Sequence, residues 1–197
     1  MKKIIYCIFL TVFLTTSIFA AGNQSVGGSG VYVSSGNFEM DGGTISNNIT
    51  GGVYMMGGTF TMNGGTISGN TANEGGGVYL VGGTFTMNNG TITDNFATRG
   101  GGVFINSSFN LRGGNITRNT ASEYGGGLFV ASGTFTKTGG IITGYNSDQN
   151  NGNVVRDDTG TIARRGHAVY INENRRKETT AGPSVNLASN TAGGWDN

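Results

Sequence analysis

Short runs of alternating apolar and polar residues, separated by glycine, follow one another down most of the chain. One repeat runs from Gly76 as GGVYLVGGTFTMNNGTITDNFATRG, and the segments before and after it have the same layout. Its first apolar position recurs at steps of 22, 25, 25 and 25 residues, at Val31, Val53, Val78, Val103 and Leu128. A fixed period of this length without a helical pattern indicates a solenoid, in which each repeat packs on its neighbours.

Each repeat contains three strings of β-branched and aromatic residues with a period of two, which is typical of strands. In the repeat above they are Val78–Leu80, Thr84–Met87 and Thr91–Thr93. Gly and Thr, which dominate the repeat, have low helix propensity. The sequence therefore predicts an all-β single-stranded parallel β-helix with about 25 residues and three short strands per coil, in about five to six coils.

The alternation predicts which side chains lie inside the coil. One internal column consists of Phe38, Phe60, Phe85, Phe109 and Phe135, with Met40, Met62, Met87 and Leu111 beside it, and a second consists of Ile45, Ile67, Ile92, Ile116 and Ile142. An asparagine follows the third string at Asn48, Asn70, Asn95 and Asn119. Asparagine tolerates left-handed backbone angles and forms hydrogen-bonded stacks. We interpret this column as structural.

The same alternation places a column of aromatic residues on the outside of the coil. These are the middle residues of the first string: Tyr32, Tyr54, Tyr79, Phe104, Phe129 and Tyr170. An exposed aromatic ladder can stack sugar rings or dock a protein partner. The alternative is that the rings stack on one another and only stabilise the sheet. We treat the six residues as a candidate partner-binding ladder.

A second outward column is rich in threonine. It contains Thr59 with Thr61, Thr84 with Thr86, and Thr134 with Thr136, and it is interrupted by Asn37 with Glu39 and by Ser108 with Asn110. Regular Thr-x-Thr arrays are used by ice-binding proteins, although threonine is also a favourable exposed strand residue in general. Ice binding is therefore a further alternative.

The N-terminus reads as an export signal. Lys2 and Lys3 precede an apolar run that ends in small residues at Ala20 and Ala21, which predicts a cleaved signal peptide over residues 1–20. The only cysteine, Cys7, lies within it. Without Lys2 and Lys3 the formal charge changes from +1 to −1, so no net charge favours nucleic acid. We expect no membrane-spanning segment in the mature chain.

The repeat fails after Thr143. We predict β-helix repeats over 21–147 and an irregular loop plus a degenerate terminal coil or cap over 148–197. The ends of a β-helix must differ from its internal coils, because they would otherwise expose apolar core and unpaired strand edges. Trp195, the only tryptophan, is predicted to cover the open end.

With these motifs defined, the chain resembles bacterial secreted adhesin-like repeat proteins. The GGGVY-type turns and the segment from Thr66 to Ala72 are similar to repeats of polymorphic outer-membrane proteins and autotransporter passenger domains. The resemblance implies a right-handed β-helix that is secreted or located at the bacterial cell surface. Because no segment after Trp195 would form the membrane barrel of those proteins, we expect release, attachment through another component or retention in the periplasm.

Parallel β-helices also include polysaccharide lyases and hydrolases, which use clustered carboxylates, often with calcium, beside a basic residue. Acidic residues are sparse and dispersed here, and no motif for a metal or a cofactor is present. The only histidine, His167, with Asp157 or Asp158, is the best candidate for acid–base chemistry. We expect a non-enzymatic, adhesin-like or structural protein whose partner is a host glycan or protein. A polysaccharide lyase or hydrolase is the alternative.

Overall fold

The computed structural model describes residues 18–21, 28–145, 148–157, 159–162 and 167–171. Within these residues the chain forms 21 strands in four parallel sheets and no helix. Each strand pairs with the equivalent strand of the next turn, which confirms the predicted parallel β-solenoid with about 25 residues per turn.

The four sheets run side by side along the solenoid. The first sheet contains the aromatic ladder and consists of β2 (Val31–Val33), β5 (Val53–Met55), β9 (Val78–Leu80), β13 (Val103–Ile105), β17 (Leu128–Val130) and β21 (Val169–Ile171). The second sheet consists of β3 (Asn37–Met40), β6 (Thr59–Met62), β10 (Thr84–Met87), β14 (Ser108–Leu111) and β18 (Thr134–Lys137).

The third sheet consists of β1 (Ile18–Ala21), β4 (Gly43–Ser46), β7 (Thr66–Ser68), β11 (Thr91–Thr93), β15 (Asn115–Thr117) and β19 (Ile141–Ile142). The fourth sheet consists of β8 (Thr71–Glu74), β12 (Phe96–Arg99), β16 (Thr120–Tyr124) and β20 (Val154–Val155). The prediction of three strands per coil is therefore wrong: a complete turn has four. Only the turns that begin at β5, β9, β13 and β17 carry all four, so the solenoid has about four turns rather than five to six.

The core consists of the predicted columns. Equivalent residues align across neighbouring strands, so Phe85 lies between Phe60 and Phe109, and Ile92 lies between Ile67 and Ile116. These six side chains are fully buried, and Phe38 at the first turn is half-buried against the same core. Full burial of one such side chain stabilises the fold by about 1.5–3 kcal/mol. The columns are therefore the main source of stability.

The asparagine column forms a continuous internal hydrogen-bonded ladder. Asn48, Asn70, Asn95 and Asn119 are each almost completely buried, and the ladder continues to Asn153. The side-chain amide of Asn70 donates to the Oδ1 atom of Asn95 at 2.9 Å and also to the carbonyl of Ile45 at 3.1 Å. The backbone N–H of Asn70 donates to the same Oδ1 atom at 3.0 Å. These bonds confirm the structural interpretation, because a buried amide is tolerated only when its polar atoms are paired.

A sharp turn joins the fourth strand of one turn to the first strand of the next. Gly75, Gly100 and Gly125 adopt φ values of 60°, 65° and 65° there. A Cβ atom on Gly100 would lie 2.4 Å from the carbonyl oxygen of Val103, so any side chain would collide with the backbone. The turn folds the end of the fourth strand back over the first strand, and this arrangement determines the surroundings of the aromatic ladder.

The two ends of the solenoid differ from its middle. Strand β1 pairs with β4 over four residues, from Ile18 with Gly43 to Ala21 with Ser46, and it overlaps the predicted end of the signal peptide. At the other end, β20 reaches the fourth sheet only after a loop that includes Asp148 and Gly152. Most of the predicted signal peptide, Trp195 and Asp158 lie outside the described residues.

Candidate partner-binding site

The aromatic ladder occupies the outer surface of the first sheet, as predicted. On each side of Phe104, the side chains of Val103 and Ile105 belong to the core, whereas Phe104 does not. The six rings follow one another in register from Tyr32 to Tyr170. The parallel pairing of short equivalent strands therefore brings together residues that are far apart in the sequence.

The ladder is not exposed along its whole length. Tyr32 is 48% exposed, and Tyr54, Tyr79 and Tyr170 are half-buried. Phe104 and Phe129 are each only 3% exposed. The prediction of an exposed ladder is therefore wrong for these two rings, which lie outside the core yet are covered.

The cover comes from the fourth strand, which the sequence analysis did not identify. The guanidinium carbon of Arg99 lies 5.7 Å from the ring centroid of Phe104 and 5.9 Å from that of Phe129. The ring of Tyr124 lies 6.3 Å from Phe129 and 4.6 Å from Tyr170. A cation over an aromatic face is attracted by the ring quadrupole, so Arg99 stabilises the rings it covers.

An ion pair between Arg99 and Glu74 extends this cover of the aromatic ladder toward the N-terminal turns. Arg99 pairs with Glu74 across adjacent strands of the fourth sheet, and its guanidinium donates a hydrogen bond to the Glu74 carboxylate. The same carboxylate also acts on the phenol group of Tyr79. Partial burial, followed by the neighbouring carboxylate of Glu74, raises the pKa of Tyr79 above its ordinary value. The phenol group of Tyr79 therefore stays protonated to a higher pH than a free tyrosine does.

The ring orientations reflect these surroundings. Tyr32 and Tyr54 stack in parallel, with centroids 5.5 Å apart and an interplanar angle of 6°. Tyr79 is turned nearly perpendicular to both neighbours, at 88° to Tyr54 and 84° to Phe104. Parallel stacking resumes between Phe104 and Phe129 at 4.9 Å. Tyr79 thus divides the ladder into an open end with two stacked tyrosines and a covered part.

A sequence signal for the cover exists in the fixed spacing of the repeat. Glu74, Arg99 and Tyr124 each precede their ladder residue by five positions, across the glycine turn. Without the fold-back at this turn, such a spacing does not imply contact. Only the structure shows that these three side chains contact the ladder.

The residues considered for catalysis have structural partners. His167 is buried, and its Nδ1 atom accepts a hydrogen bond from the backbone N–H of Val155 at 3.0 Å. An imidazole nitrogen that accepts a hydrogen bond carries no proton, so this bond fixes the tautomer. The Asp157 carboxylate accepts bonds from the backbone N–H groups of Thr159 and Thr161, which close its own loop. The structure gives these two residues a role in holding the last loop.

The threonine column is regular over part of the second sheet. Thr84 pairs with Thr59 and Thr86 pairs with Thr61, whereas the next strand presents Ser108 and Asn110. The uninterrupted array therefore spans two adjacent strands. No group of three or more His, Cys, Asp or Glu side chains that would suit a metal ion occurs in the part of the chain that the structure describes.

Comparisons with known proteins identify no relative: no family model, curated protein or solved structure matches this chain. Across the described ranges, no helix is long and apolar enough to cross a membrane.

Proposed function

We propose that this chain is an exported, non-enzymatic β-solenoid that binds a host or extracellular macromolecule, as an adhesin-like or structural surface module. The observation that supports the proposal is the unequal covering of the aromatic ladder. Tyr32 stacks in parallel on Tyr54, and almost half of its surface remains exposed to solvent. Phe104 and Phe129, in contrast, are covered by other side chains of the protein. If the ladder only stabilised the sheet, covering its apolar surface along the whole length would be favourable.

The chemistry of the open end suits a glycan or a protein surface. A tyrosine ring offers an apolar face for a sugar ring or an aliphatic side chain, and its hydroxyl can form hydrogen bonds at the edge of the contact. The ring of Tyr32 is already stacked on that of Tyr54, with 5.5 Å between the ring centroids. Binding therefore requires little further loss of side-chain freedom at Tyr32. Rigid aromatic residues of this kind are enriched among the residues that contribute most to binding.

Export is the second part of the proposal. Its support is the cationic start with Lys2 and Lys3, the apolar run and the small residues at Ala20 and Ala21. N-terminal sequencing of protein recovered from the medium, the surface fraction and the periplasm would test it. A protein that stays in the cytoplasm with Met1 or Lys2 at its N-terminus would contradict the proposal.

The binding experiment uses labelled mature protein on a glycan array, on matrix proteins and on host cells. Saturable binding to at least one panel is expected, and we expect the double variant Tyr32→Ser/Tyr54→Ser to weaken it at least about tenfold. Phe96→Ser is the matched control, because Phe96 is an exposed aromatic residue on the fourth sheet, 43% exposed. The absence of saturable binding on all panels, or an equal loss with Phe96→Ser, would contradict the proposed site.

The two alternatives that the sequence left open, an enzyme acting on polysaccharides and an ice-binding protein, remain predictions. Each can be tested by an assay of its own. A lyase or hydrolase would cleave a polysaccharide, and turnover would be lost in His167→Ala or Asp157→Asn. An ice-binding protein would show thermal hysteresis that Thr61→Lys/Thr86→Lys removes. The structure offers no specific observation that favours either activity over partner binding.

A further inference from the structure

An asparagine occupies a turn position that is glycine in the neighbouring turns. The backbone N–H of Asn89 donates to the carbonyl of Met62 in the preceding turn, and Gly64, Gly113 and Gly139 make the equivalent hydrogen bond in their own turns. A Cβ atom on any of these three glycines would lie 2.0–2.4 Å from a carbonyl oxygen of the preceding turn. Packing therefore favours glycine at this position, and Asn89 is the exception among the four turns.

The side chain of Asn89 lies against the peptide group that follows it. Asn89 is exposed, and the backbone N–H of Gly90 donates to its Oδ1 atom at 2.8 Å. Because Cγ is bonded to Oδ1 at a distance of about 1.2 Å, the Gly90 nitrogen also lies close to Cγ. Gly90 has no side chain that would shield this nitrogen. Atoms that are held close together in this way react much faster than atoms that must first meet.

The chain has two other Asn-Gly pairs, and the pair at Asn63 is held by several hydrogen bonds. Nδ2 of Asn63 donates to the carboxylates of Glu39 and Asp41, at 2.8 Å in both cases. Oδ1 of Asn63 accepts a hydrogen bond from Nδ2 of Asn88 at 2.8 Å. The N–H of Gly64 donates to a carbonyl of the preceding turn at 3.2 Å. A reaction between Gly64 and the Asn63 side chain would have to break these bonds.

The third pair, Asn151 with Gly152, is held by a single residue. Nδ2 of Asn151 donates to the carboxylate of Asp148 at 2.9 Å, and the N–H of Gly152 donates to the carbonyl of Asp148 at 2.6 Å. Among the residues that the structure describes, the side chain of Asn89 forms a hydrogen bond only to Gly90. Asn89 is therefore the asparagine of the three that is best placed to react with the glycine after it.

We propose that Asn89 is a site of spontaneous deamidation through a succinimide formed with Gly90. The Gly90 nitrogen gives its proton to water or hydroxide, and its electron pair forms a bond to Cγ of Asn89. The bond between Cγ and Nδ2 then breaks, and Nδ2 takes up a proton and leaves as ammonia. Water opens the ring at one of its two carbonyl carbons. Cleavage between Cγ and the nitrogen gives aspartate, and cleavage of the original peptide bond gives isoaspartate.

The two products differ in their effect on the solenoid. Two hydrogen bonds flank the site: Asn89 N–H to the Met62 carbonyl at 3.2 Å, and Thr91 N–H to the Gly65 carbonyl at 3.0 Å. Isoaspartate adds one carbon atom to the main chain between these bonds and shifts β11 relative to β7. Aspartate leaves the main chain unchanged and adds one negative charge to the surface. The modification therefore changes the surface and one turn of the protein as it ages.

The test follows full-length folded protein in mildly alkaline buffer by peptide mass mapping. Each Asn-Gly peptide is scored for the exchange of ammonia for water, and isoaspartate is labelled with protein isoaspartyl methyltransferase. We expect Asn89 to be modified at least about tenfold faster than Asn63 and Asn151. Equal rates at the three sites, or a faster rate at Asn63 or Asn151, would overturn the proposal.

The same measurement in urea separates the fold from the local sequence. Unfolding removes the hydrogen bonds that hold Asn63 and Asn151, so the three rates should become similar. If Asn89 kept its full lead in urea, the geometry of the turn would not be the cause. Asn89→Gln retains an amide but must close a larger ring, so release of ammonia at this position should slow at least about tenfold. An unchanged rate in Asn89→Gln would exclude the succinimide route.

Discussion

Two columns of aromatic rings run along this solenoid, one inside and one outside, and they obey different constraints. The inner rings from Phe38 to Phe135 stack with centroids 4.6–5.3 Å apart and interplanar angles of at most 26°. The outer rings include two nearly perpendicular pairs, both at Tyr79. Inside, Phe60, Phe85 and Phe109 each stack between two other phenylalanines. Outside, the orientation also depends on side chains from the fourth sheet, and these differ in every turn.

The largest effect is expected inside. Phe85→Ala removes a fully buried ring that contacts Phe60 and Phe109, at 4.6 Å and 4.7 Å between centroids. We expect a loss of about 3–5 kcal/mol in the free energy of unfolding, because the cavity cannot collapse between two fixed turns. A urea melt measures it. A midpoint shift no larger than that of Tyr32→Ser would mean that the two columns contribute equally.

The second effect concerns the polar part of the interior. Asn95→Ala removes the Oδ1 acceptor of the Asn70 amide and backbone, and also the donor to the Ile67 carbonyl at 3.0 Å. Each buried group left without a partner costs about 1–3 kcal/mol. We therefore expect Asn95→Ala to destabilise the protein by about 3 kcal/mol in the same melt. Asn89→Ala, in an exposed turn, is the control and should have little effect.

The covered outer rings should fall between the core and the open end. Phe104→Ser is expected to cost about 2 kcal/mol, since the ring is buried but lies against a flexible cover rather than inside the coil. Tyr32→Ser should cost less than about 1 kcal/mol, the value of an exposed cross-strand pair. Equal costs for the two variants would show that the Arg99 cover has no effect on stability.

The smallest effect is a shift in the titration of one tyrosine. Since the pKa of Tyr79 is raised in the folded protein, its contribution to stability is complete below the unfolded tyrosine value and is lost as the pH rises toward the folded value. Ultraviolet titration should show one tyrosine that ionises above the ordinary range of a free phenol. Glu74→Gln should lower the pKa of Tyr79 again, because a neutral amide adds no negative charge beside the phenol. An unchanged titration would remove Glu74 as a cause.

The interior was predictable from the sequence, whereas much of the outer surface was not. Phe60, Ile67 and Met62 recur at fixed intervals, and period-two alternation suffices to place them inside. The asparagine column was equally regular. Both depend only on the repeat, and a parallel solenoid converts a repeat directly into a stack.

The fourth strand was missed because its segments lack the usual strand signal. Thr71–Glu74 contains no large apolar residue, and the inward side chains in the following turns are the small Ala97 and Ala121. Strand propensity depends strongly on such packing partners. Without the fourth strand, the covering of Phe104 by Arg99 could not be inferred. The error in the number of strands per turn therefore led directly to the error in exposure.

The asparagine ladder also has an evolutionary consequence. Successive members lie 22, 25, 24 and 34 residues apart, yet each forms the same hydrogen bonds to the next. The ladder thus tolerates extra residues between its members, provided that one asparagine returns per turn. Unequal recombination between repeats would delete or duplicate a whole turn without disturbing any of the four sheets. A gene for this fold can therefore change the length of its product in single steps, and its lineage is expected to contain solenoids with different numbers of turns.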